Sequence, residues 1–134
     1  MPVKVFVKIS GLGGFSSQTL GPLRSKILEA CLFDNELGLC EEQIAVFFHG
    51  DPCGCDPNGT VLAEVSNLPA ASTRTERVLE AFRERLGQAI LSGLTGNFSV
   101  WIPRIETVDP RAVRVFRRKT DGQEENDVPG PHII

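Results

Sequence analysis

Met1-Pro2-Val3-Lys4-Val5-Phe6-Val7-Lys8-Ile9 opens the chain as an alternating run, with Val3, Val5, Val7 and Ile9 on one side and Lys4, Phe6 and Lys8 on the other. Period two is the strand period, so the run predicts a β-strand with one face on a core and a mixed face elsewhere. Pro2 falls in phase with Lys4, Phe6 and Lys8. Loss of Met1, usual ahead of a small residue, would leave Pro2 as an N-terminal secondary amine at a strand end rather than on a loose tail. That amine is a candidate catalytic base.

Gly11-Leu12-Gly13-Gly14 ends the strand, and Phe15-Ser16-Ser17-Gln18 leads into a helical pattern. Leu20, Leu23, Ile27 and Cys31 make its apolar stripe, widened by Leu28 and Leu32, with Pro22 expected in the first turn and Gly38 closing the region. Gln43-Ile44-Ala45-Val46-Phe47-Phe48-His49 is apolar on both faces, which predicts an inner strand. After a turn-rich loop from Gly50 to Gly59, Thr60 to Ser66 reads as a third strand. Ser72 or Thr73 is the expected cap of the longest helix, whose stripe is Val78, Leu79, Phe82, Leu86, Ala89 and Ile90. Phe98-Ser99-Val100-Trp101-Ile102 reads as a fourth strand, ended by Pro103. A short turn or helix is expected at Asp109-Pro110-Arg111, and a short extended segment at Val113-Arg114-Val115-Phe116.

Strand, small-residue connection, helix and strand therefore occur twice. The expectation is a two-layer α/β domain over residues 1–119 made of duplicated βαβ units, about 2–49 and 60–105, followed by a disordered tail at 120–134. Right-handed crossovers place both helices on one face of a four-stranded sheet. The other face, carrying Lys4, Phe6 and Lys8, stays open, and an open face with apolar content calls for a partner chain.

With 134 residues, 41% hydrophobic and 23% charged, and a net charge of −3, the chain suits one soluble globular domain. Its Arg and Lys residues are dispersed apart from Arg117-Arg118-Lys119, which argues against nucleic acid as a partner. No apolar run approaches the ~18 residues of a membrane span, and a cytoplasmic location is the expectation. The four cysteines, Cys31, Cys40, Cys53 and Cys55, then read as reduced thiols.

Two further motifs are weighed and set aside. Gly11-Leu12-Gly13-Gly14-Phe15-Ser16 follows a strand and precedes a helix as a dinucleotide loop does, but no acidic residue ends the second strand and four strands are too few. His49-Gly50-Asp51-Pro52-Cys53-Gly54-Cys55-Asp56 holds metal-competent ligands, yet it lacks CxxC spacing and reads as a turn. No metal and no cofactor are expected.

Met1-Pro2 on a strand, Gly38 followed by Gln43-Ile44-Ala45-Val46, Ser72-Thr73-Arg74-Thr75 opening the second helix, and Val100-Trp101-Ile102 together resemble the tautomerase superfamily, which includes macrophage migration inhibitory factor. The resemblance covers roughly residues 2–105. It implies a homotrimer and cofactor-independent keto–enol proton transfer, with Pro2 as general base on a small carboxylate or carbonyl substrate. It carries carboxylate binding first to Arg74. Arg77, three residues on, would share a helix face with it. Lys4 would lend a nearby positive charge, and Phe6 and Trp101 would keep the site apolar. A non-catalytic trimeric binding or signalling module of the same fold is the alternative, and a metal-binding protein using the 49–56 loop the third. The chain departs from the pattern in carrying Leu39-Cys40 where many relatives have a basic residue, and in having no tyrosine.

Overall fold

Val5, Val7 and Ile9 are buried while Lys4, Phe6 and Lys8 are exposed, as the alternation requires. The computed structural model describes residues 3–50, 59–103 and 105–118. Pro2, the Asp51-to-Asp56 part of the loop read for metal ligands, and the tail at 120–134 lie outside them.

The first strand, β1, spans Val5–Ser10 and is followed by helix α1, Ser17–Leu32. A short 3-10 turn at Glu41–Gln43 leads into β2, Ile44–His49. Then come β3 (Thr60–Pro69), α2 (Glu76–Ser92), β4 (Ser99–Trp101), β5 (Ile105–Val108) and a 3-10 turn at Pro110–Ala112. The sheet runs β2-β1-β3-β4, with β5 pairing β3 further along. β1 is parallel to β2 and β3 is parallel to β4, while β1 and β3 are antiparallel. Two βαβ units thus run in opposite directions, joined through their first strands.

Their helices share one core. Leu23, Ile27 and Cys31 from α1 and Val78, Phe82, Leu86 and Ile90 from α2 pack on Val5, Val7 and Ile9 of β1 and Val61, Ala63 and Val65 of β3. No charged or polar residue is buried among the described residues. No helix among the described residues is long and apolar enough to cross a membrane.

Several expectations are corrected. The sheet has five strands, not four, because the chain resumes pairing after Pro103. β4 pairs Thr60 to Leu62 and β5 pairs Val65 to Pro69, so the two are one edge strand interrupted at the proline. β2 is an edge strand rather than an inner one. Its second apolar face is instead set on the open side of the sheet, where Phe47 is 52% exposed. Pro22 lies in the second turn of α1 rather than the first. The cap of α2 is Thr75, whose Oγ1 accepts from the Val78 N–H at 3.3 Å. Thr75 displaces Ser72 and Thr73 because it stands three residues before Val78, the first buried residue of the helix.

Gly11 is needed by the fold. Its φ is +103°, and a Cβ there would sit 2.5 Å from the Thr60 carbonyl oxygen, so a side chain is excluded on two grounds.

Candidate functional site

Three chain segments meet at the start of β1. Lys4 lies just ahead of the strand and its Nζ donates to the Glu42 carbonyl at 2.6 Å, in the 3-10 turn that enters β2. From the other side, Asn67 Nδ2 donates to the Lys4 carbonyl at 2.7 Å. Asn67 adopts φ 65° within a register shift of the β3–β5 pairing between Val65 and Leu68.

Arg74 closes the same end of the molecule. Its Nε donates to the Leu37 carbonyl at 2.8 Å and its Nη1 to the Pro69 carbonyl at 2.5 Å. The guanidinium therefore ties the connection after α1 to the end of β3. Burial lowers the Arg74 pKa, but an arginine so placed remains a cation. Because α2 starts at Glu76, Arg74 lies ahead of the cap. It does not share a helical face with Arg77, whose Nη2 reaches Glu36 Oε2 at 3.6 Å from an exposed position. The expected pair of arginines in one first turn is corrected accordingly.

The Glu42 carboxyl is held below the usual carboxylate range, first by its own main-chain N–H and then by the Cys40 thiol, with Lys4 a smaller cause. Cys40 is exposed and also hydrogen-bonds Gln43 Oε1 through its main-chain N–H at 3.1 Å and its Sγ at 3.2 Å. The Leu39-Cys40 segment thus presents a thiol two residues ahead of Glu42.

Phe6 continues the open face from Lys4. Its ring is 6.0 Å, centroid to centroid, from that of Phe47 on β2. Next along β1, Lys8 Nζ approaches Glu64 Oε1 at 3.9 Å. Trp101 is on the open side as well, 61% exposed, but it does not join this group. It pairs with Leu62, and Leu62 pairs with Ser10, whereas Phe6 lies opposite Ser66. Four residues along the strands and two strands across put Phe6 and Trp101 roughly 16 Å apart. Phe6 and Trp101 therefore stand at opposite ends of the open face rather than side by side.

Among the described residues no group of three or more His, Cys, Asp or Glu side chains is arranged to hold a metal ion. His49 ends β2 in an exposed position. Asn67 is absent from the sequence-based candidates, which end the third strand at Ser66, whereas β3 runs on to Pro69. The signal for Asn67 was the residue type, since asparagine is enriched in left-handed backbone.

No family model and no curated protein matches the chain. Solved structures do match, and the likeness is one of fold, shared with tautomerase-superfamily structures. A fused 4-oxalocrotonate tautomerase in an asymmetric trimer matches with a TM-score of 0.59 and 16% identity, over 75% of this chain and 86% of that one. A protein inactivated by 2-oxo-3-pentynoate matches with a TM-score of 0.57 and 20% identity, over 82% and 91% of the two chains. A malonate semialdehyde decarboxylase inhibited by 3-bromopropiolate matches with a TM-score of 0.51 and 11% identity, over 81% and 82%.

Proposed function

We propose that this chain is a cofactor-independent tautomerase that moves a proton on a small enol or keto acid, with Pro2 as the general base. The observation that carries the reading is a proline at position 2, three residues ahead of the first residue of β1 in sequence, in a fold shared with a 4-oxalocrotonate tautomerase and a malonate semialdehyde decarboxylase. A free α-amino group has a pKa near ~8. In this reading Lys4, two residues on, disfavours the charged amine and brings it toward neutrality, where a base is most effective.

In this reading Pro2 removes a proton from the carbon or oxygen next to the substrate carbonyl and returns it to the other end of the enol system. The substrate carboxylate lies toward Lys4 and Arg74, whose positive charges stabilise the enolate as it forms. Arg74 Nε and Nη1 are committed to main-chain carbonyls, and in this reading Nη2 meets the substrate. Arg77, outside this cluster, acts at most as a peripheral cation. The open sheet face with Phe6, Phe47 and Trp101 exposed is covered by further copies in a homotrimer, and Trp101 reaches a site only from a neighbouring copy.

The second reading, a non-catalytic trimeric module of this fold, is favoured by one observation: Arg74 is engaged as a structural tie. The mass of the native N-terminus separates the two. A chain beginning at Pro2 that ketonises an enol pyruvate supports the enzyme; a chain that keeps Met1, or carries an acetyl group, has no base at this position and supports the module.

A further inference from the structure

Among the described residues, Asn67 is the non-glycine residue with left-handed backbone, φ 65°. An L residue pays a steric penalty there, and such outliers gather where surrounding structure imposes them for function. What this one achieves is visible. The β1–β2 register begins at Val5 with Ile44, and the β1–β3 register at Phe6 with Ser66, so Lys4 precedes the ladder on both sides. A strand end in that position frays unless something else holds it. Two side-chain bonds converge on Lys4 instead: Asn67 Nδ2 donates to its carbonyl at 2.7 Å, and its own Nζ donates to the Glu42 carbonyl at 2.6 Å. The first comes from β3 and the second runs to the 3-10 turn that enters β2, so the lead-in to β1 is held on both sides at one residue. Asn67 lies within the register shift of the β3–β5 pairing between Val65 and Leu68, and its amide faces β1.

We propose that Asn67 is a positioning residue for the Pro2 amine. Its amide, together with the Lys4–Glu42 bond, fixes where the chain leading to Pro2 leaves the sheet. This rests on the catalytic reading of Pro2 given above. Placing a base correctly matters steeply, since a displacement of about 1 Å costs on the order of a hundredfold in rate.

Asn67→Gly tests it, because glycine keeps the left-handed backbone and removes only the donor. Asn67→Asp is the second variant, of the same size and also tolerant of that backbone, but with no donor at neutral pH. Two readouts are taken on the full chain: NMR relaxation of the Val3 and Lys4 amides, and the pH profile of enol pyruvate ketonisation. Both variants are expected to fold, to loosen Val3 and Lys4, and to lose on the order of tenfold to a hundredfold in kcat with KM little changed. The acid limb of the profile should move toward the ~8 of a free α-amine. If Asn67 merely serves the turn, Asn67→Gly leaves relaxation and profile as in the wild type, and the proposal is overturned. Failure of the underlying reading looks different: Pro2→Ala would then retain activity while Val3 still loosens in the Asn67 variants.

Discussion

Arg74 Nε donates to the carbonyl of Leu37 at 2.8 Å, joining the connection ahead of β2 to the segment that leads into α2. With the Nη1 bond to Pro69, one side chain satisfies two main-chain acceptors from different segments. Hydrogen bonds from a charged donor contribute about 1.5–3 kcal/mol each, and the two here share one partly exposed side chain. Arg74→Ala is therefore expected to destabilise the chain by about 2–3 kcal/mol, read by urea denaturation. Arg74→Lys should recover little of it, since an ammonium lacks the planar fork that reaches both carbonyls. If Arg74 also holds substrate, KM rises in Arg74→Lys under conditions where the protein is fully folded.

The buried thiol of Cys31 gives a prediction about pH. Burial in the α1–α2 core raises its pKa from 9.0 to about 12, against a smaller opposing effect of Arg85. The folded chain therefore holds this proton more tightly than the unfolded chain. Its contribution to stability is complete below the unfolded pKa of 9.0 and is lost as pH rises toward about 12. Stability should fall across that alkaline window, and Cys31→Ala should flatten the fall. Alkylation followed by peptide mapping at pH about 8 should modify the exposed Cys40 and spare Cys31 until the protein unfolds.

How much of this was legible in the sequence differs by element. β1 and the stripes of α1 and α2 were, because alternation and helical spacing report burial directly, and Val7, Ile27, Phe82 and Leu86 are all core. The double βαβ order was legible for the same reason. β2 was misplaced because an apolar residue on each face signals cover without saying what provides it. A neighbouring copy on the Phe47 side and an inner position in the sheet leave the same pattern. β5 escaped because Ile105-Glu106-Thr107-Val108 is short and follows a proline. The relation of Trp101 to the head of β1 was not legible at all. It depends on the antiparallel register of β1 with β3, and residue patterns on single strands do not encode which ends meet. Arg74 was singled out for its charge, whereas its carbonyl partners, Leu37 and Pro69, carry no side-chain signal.

Phe47 is the residue through which assembly can be addressed. It stands on the open face at 52% exposure, beside Phe6, and an apolar pair of this kind gains from being covered. Phe47→Glu should leave the helix-side core untouched and shift the protein toward monomer, as measured by sedimentation equilibrium. In a homotrimer whose sites need Trp101 from a neighbour, activity should fall in parallel with the mass. A variant that becomes monomeric yet keeps full activity would separate the site from the assembly.

The most direct measurement is the ketonisation rate of an enol pyruvate by the Pro2→Ala variant, with the mass of its N-terminus confirmed to begin at residue 2. Alanine puts a primary amine in place of the secondary amine of proline and frees φ. A positioned general base contributes about 10²–10⁴-fold, so the account predicts a loss of kcat on that order with the fold and melting temperature preserved. Activity equal to the wild type in a correctly processed Pro2→Ala protein would contradict it.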